Sequence, residues 1–161
     1  MSELLAHTNG LPEISLAPGD TLVREGEMSN RALWVLVSGT LKVQKAGVAI
    51  SSISRPGAAI GEISLLLDAP HSATVVASAP SVLRYAADGR ALLMNDPAIT
   101  HLIAAGLAER LSFATTYLVD LKNQYGGTPG LAMVSEVLDQ LANRQGGAAS
   151  PGSAREPNPD Y

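Results

Sequence analysis

No cysteine occurs among the 161 residues, which removes disulfides, iron–sulfur clusters and thiolate zinc sites together and fits a reducing compartment. Aromatic residues are scarce, with one Trp, one Phe and four Tyr, so a core must be built mainly from aliphatic side chains. Basic residues are outnumbered, 11 Lys and Arg against 15 Asp and Glu for a formal net charge of -4. That leaves little counter-charge for a sequence-independent grip on nucleic-acid phosphates. The three histidines, His7, His71 and His101, stand apart with no HxH pair, unlike the converging ligands of a metal-dependent enzyme. No P-loop, nucleophile elbow or paired-acid arrangement is visible. The chain is therefore expected to be no enzyme and to carry no metal or cofactor. It does not open on a basic segment followed by an apolar run, and stretches such as LIAAGLA stop short of the ~18 to 20 apolar residues that span a bilayer. A cytoplasmic protein with no membrane segment is expected, long enough for one domain and a tail.

What is present falls into two textures. From Leu11 to about Tyr85, short β-rich runs such as LWVLV and TVV alternate with Gly19, Gly26, Gly39, Gly47, Gly57 and Gly61. Strands this short, separated by tight turns, favour a sandwich or barrel over a parallel sheet. The fold class predicted is mainly β with C-terminal helices: an antiparallel β-roll or jelly roll over 11–86, flanked by α-helices. Asp88 can cap a short helix, GRALLMN, that Pro97 stops. Asp96 and Pro97 then read as N-cap and first position of a longer helix that ends at Gly126-Gly127. Helices over 88–125 would complete a domain of residues 1–125. A further helix is predicted within 126–145, and the small, Pro-rich stretch 146–161 reads as a flexible tail.

Within the long helix, Leu107, Leu111, Ala114, Leu118, Leu121 and Tyr125 recur at spacings of four and three, the rhythm of a helix–helix seam. Two readings stay open. The stripe lies against the roll of its own chain, or it joins two copies in an isologous homodimer through the 97–125 helix.

The stretch GEISLLLDAPHSATVVA, residues 61–77, is the candidate site. Gly61 admits backbone conformations closed to other residues and allows close approach of a ligand. The first amides of the turn beginning at Ile63 lack helical partners and can meet an anion. Glu62 is out of place beside an anion unless it accepts a hydrogen bond from a hydroxyl some distance away.

Taken with LAPGDTLVREGE and ALWVLVSGTLKV in the same order, this text resembles the cyclic nucleotide-binding domain family over roughly residues 11–125. The family includes catabolite activator proteins, regulatory subunits of cyclic-AMP-dependent protein kinase and cyclic-nucleotide-gated channels. The resemblance implies that Glu62 holds a ribose hydroxyl, and that Gly61 and the amides of Ile63 and Ser64 cradle a cyclic phosphate. It implies further that Ser72 and Ala73 close the cassette and that Thr115 and Thr116 lie where the long helix lids the base. The arginine expected against the phosphate falls on His71. Trp34 is assigned to the core of its strand rather than to ligand stacking.

An arginine gives phosphate a permanent two-pronged contact, whereas imidazole is mostly neutral near pH 7. Cyclic AMP or cyclic GMP is thus expected to bind weakly or not at all. The chain then reads as a stand-alone regulatory or interaction domain with an unknown protein partner. The alternative is a working sensor in which His71, or Arg24, Arg31 or Arg55, meets the phosphate and the long helix carries the signal. No basic helix-turn-helix is visible, so direct DNA binding is not expected.

Overall fold

The computed structural model describes residues 2–125 and 132–143. Its elements are α1 (Glu3–His7), β1 (Glu13–Leu16), β2 (Thr21–Val23), β3 (Leu33–Ser38), β4 (Leu41–Lys45), β5 (Val48–Ile53), β6 (Ala59–Ile60), α2 (Glu62–Leu67), β7 (Thr74–Ala77), β8 (Ser81–Ala86), α3 (Gly89–Asn95), α4 (Pro97–Tyr125) and α5 (Ala132–Asn143). The chain divides into two compact units, Met1–Ala104 and Ala105–Tyr161.

The first unit is the β-roll. Two four-stranded sheets have the orders β1-β8-β3-β6 and β2-β7-β4-β5, and every strand pair is antiparallel. All six glycines read as strand punctuation take positive φ, the conformation that lets the chain reverse between short strands. Val23, Trp34, Leu36, Leu41, Ile60, Val75 and Leu83 form the core between the sheets. Trp34 belongs to it, as expected.

Strand β3 is apolar on both faces because both are covered. Trp34 and Leu36 point into the inter-sheet core, while α1 packs on the strand and Leu33 lies against Gly89 of α3. That is why LWVLV reads as a continuous apolar run rather than an alternating one.

Helix α1 was not anticipated; at five residues it is too short to show periodicity. It is held from a distance by Arg84, whose guanidinium donates to the Leu5 carbonyl and to Asn9 Oδ1 at 2.9 Å. The capping expectations hold. Asp88 Oδ1 accepts from the Ala91 amide at 2.9 Å, and Asp96 Oδ1 accepts from the amides of Ala98 and Ile99 at 3.0 and 3.1 Å.

Ile99 and Ile103 anchor the first turns of α4 by burial in the first unit. Further along, in the second unit, Leu111 is 50% exposed, Ala114 is exposed, and Leu107, Leu118 and Leu121 are half-buried. Contrary to the expectation drawn from short apolar runs, Pro97–Gln124 is long and apolar enough to cross a membrane by length and composition, with a mean hydropathy of 1.2. Glu109 and Arg110 sit mid-helix, where each charge costs about 2.5 to 3.5 kcal/mol in a bilayer. Helix α5 occupies the later part of the region predicted for it. The stop at Gly126-Gly127 and the tail 146–161 lie outside the described residues.

Candidate functional site

Gly61 is the N-cap of α2, with φ 88° and ψ -4°. A Cβ there would stand 2.9 Å from Trp34 Cζ3 and 3.1 Å from the Ala32 carbonyl oxygen, so both backbone angle and space demand glycine. The turn closes when Leu65 donates to the Gly61 carbonyl at 3.0 Å and Ala69 to the Ser64 carbonyl at 3.1 Å. Asp68 ends α2 in the left-handed region. Glu62 and Ser64 are buried, whereas Ile63, Leu66 and Leu67 are exposed. The Ser64 hydroxyl donates to the Pro70 carbonyl at 3.4 Å, tying the helix to the residue before His71.

His71 is 7% exposed. Its carbonyl accepts from the Gly26 amide at 2.8 Å and its amide donates to the Glu27 carbonyl at 2.9 Å. Burial pushes the imidazole below its ordinary 6.5, and the Glu27 carboxylate pulls the other way with a smaller effect. The net result favours neutral imidazole. The same loop is fastened one residue earlier by the Glu25 amide, which donates to Thr74 Oγ1 at 2.9 Å. Ser72 is exposed and Ala73 half-buried.

The predicted cassette residues are therefore neighbours along one continuous turn-helix-turn, and the loop Arg24–Glu27 joins them. Sequence reading missed the roles of Gly26 and Glu27. Gly26 signalled a turn, but nothing local marked His71 as its partner. Of the three candidate arginines, Arg24 pairs with Glu27 at 3.8 Å and Arg31 with Asp68 at 3.9 Å, both with exposed side chains, and Arg55 is also exposed.

Thr115 and Thr116 fall in the second unit. Their hydroxyls donate back along α4, to the Leu111 carbonyl at 2.8 Å and the Ser112 carbonyl at 3.0 Å, a use internal to the helix. Among the described residues no three His, Asp or Glu side chains converge as a metal site would require. An open, mainly apolar groove of about 460 Å³ lies elsewhere on the roll, lined by residues including Leu11, Pro12, Tyr85, Ala91 and Leu92 and by no cassette residue.

The roll, the glycine-capped short helix and the return strand define a β-roll of the cyclic nucleotide-binding-domain type. The chain belongs to the cyclic nucleotide-binding domain family, whose model matches residues 13–94. It is 36% identical over 73 residues to the cAMP-dependent protein kinase regulatory subunit of Yarrowia lipolytica, a match covering 45% of this chain and 19% of that protein. It is 39% identical over 75 residues to the acetyltransferase Pat of Mycolicibacterium smegmatis, covering 45% of this chain and 22% of that protein. The chain thus matches only a small part of either relative. The crystal structure of Thermus thermophilus catabolite activator protein shares the fold at a TM-score of 0.58 and 24% identity, over 92% of this chain and 88% of that one.

Proposed function

We propose that this domain regulates or recruits another protein by binding rather than by catalysis, and that it holds the phosphate of cyclic AMP or cyclic GMP only weakly. One observation carries the reading: the position where the family resemblance implies arginine holds a buried His71 whose neutral form is favoured. A charge-assisted hydrogen bond contributes about 1.5 to 3 kcal/mol, and leaving a buried charge unpaired costs roughly 2 to 5 kcal/mol. At about 1.4 kcal/mol per factor of ten, the exchange weakens the nucleotide at least tenfold and up to a thousandfold or more.

Isothermal titration of the native protein and His71→Arg with both nucleotides, at pH 6 and pH 8, tests this. Little or no saturable heat from the native protein at pH 8, with recovery in His71→Arg, is the expected result. Micromolar binding by the native protein at pH 8 would overturn it. A folded His71→Arg that stays silent would mean that more than the phosphate contact has been lost, and would favour a pure interaction scaffold or a less anionic ligand.

A second reading, a working sensor, draws support from the loop bonded to His71. Glu27 favours the imidazolium, and Arg24 sits on that loop beside Glu27. If the imidazolium meets the phosphate, affinity rises from pH 8 to pH 6 and His71→Gln abolishes it. If Arg24 does so instead, affinity is flat with pH and Arg24→Gln abolishes it. In either case α4 is the element through which ligand occupancy reaches a partner, and its leucine seam supports an isologous dimer.

A further inference from the structure

The chain has a single phenylalanine, Phe113, and α4 presents it to solvent at 76% exposure, with Tyr117 one turn later at 57%. Aromatic side chains at i and i+4 are neighbours on a helix surface, so the two rings form one apolar strip. Rings of this size supply much of the driving force of cores and interfaces, and here that surface is left in water. At about 100° per residue, the rings stand roughly 80 to 120° around the helix from the leucine seam. Pairing two copies along that seam leaves them uncovered.

Glu109 comes one turn before Phe113, and Asp120 follows Tyr117; both are exposed and lie on the side of the rings away from the seam. Their backbone positions are about 16 Å apart along the axis. Arg110 borders the rings on the seam side and already has an interaction within the chain. The strip is thus an aromatic pair bracketed at its two ends by carboxylates.

We propose that this outer face of α4 docks a basic amphipathic helix of another protein. The partner places apolar side chains over Phe113 and Tyr117 and a Lys or Arg near each of Glu109 and Asp120. Aromatic anchors are enriched at the centres of interfaces, with charged groups at the rim. A cation beside a ring face and a carboxylate is attracted by both. Two cations three helical turns apart match the carboxylate spacing. The inference is independent of whether the cassette binds a nucleotide.

The test uses the full chain and a fluorescently labelled synthetic helix with Lys at two positions eleven residues apart, the separation of Glu109 and Asp120, and Leu and Met between them. A second peptide carries Glu in place of Lys. Saturable binding of the Lys peptide that weakens with salt is expected. Phe113→Ala and Tyr117→Ala should each weaken it by about tenfold or more. Combined Glu109→Lys and Asp120→Lys should abolish it and confer binding of the Glu peptide. Because these side chains are exposed, circular dichroism and oligomeric state should be unchanged in every variant. The proposal is overturned if the two peptides bind alike, if the Lys peptide does not bind below millimolar concentration, or if the aromatic substitutions leave its affinity intact. A change of oligomeric state in Phe113→Ala would also overturn it, since a second copy would then cover this face.

Discussion

Burial holds His71 toward its neutral form, and this has a signature in stability as well as in binding. Its folded-state value lies below the ordinary 6.5, so the unfolded chain takes up the proton more readily than the folded one. The stabilisation is complete above about pH 6.5 and is lost as pH falls through the folded value. Chemical denaturation between pH 7.5 and pH 5 should therefore show a steeper loss for the native protein than for His71→Gln; parallel curves would mean that the imidazole is not desolvated. Gly61 gives a second prediction at this scale. An alanine there meets Trp34 and keeps a positive φ, so Gly61→Ala should cost about 1 to 3 kcal/mol, measured as a drop in the denaturation midpoint. Both residues stood out in the sequence as candidates. The burial of His71 did not, because it arises in the folded chain, where its backbone pairs with Gly26 and Glu27, distant in sequence.

Among the elements, the strands and the capped helices announced themselves by glycine spacing, by Asp88 and by Asp96, each a local signal with a local cause. Helix α1 and the double covering of β3 depended on long-range packing and left no such mark. Arg84 makes the point concrete. Its guanidinium joins β8 to the Leu5 carbonyl, to Asn9 and, at 3.4 Å, to Glu13, yet in the sequence it is one charge in an apolar strand. Arg84→Met should cost about 1 to 3 kcal/mol through the polar partners left behind. Hydrogen exchange should show α1 losing protection while β3 and β8 keep theirs. Equal loss throughout would mean that α1 does not depend on this clamp.

For the molecule as a whole, periodicity in α4 suggested a leucine seam, whereas the exposure of Leu111 could come only from the folded chain. Leu111→Asp with Leu118→Asp should convert a dimer into a folded monomer, read by light scattering with circular dichroism as the folding control. A native protein already monomeric at high concentration would end the dimer reading. Charge has a consequence at the same scale: with a net -4, the protein should show no saturable, salt-sensitive binding to operator-length DNA, and finding it would contradict that expectation. Finally, the lone tryptophan touches both halves of the roll's business. Trp34 lies in the inter-sheet core, 5.9 Å from the Tyr85 ring and directly against Gly61 at the start of α2. The protein therefore carries its own optical reporter. Any occupant that shifts the cassette should alter the wavelength and intensity of a single-source emission, so candidate ligands can be screened on the unlabelled native chain.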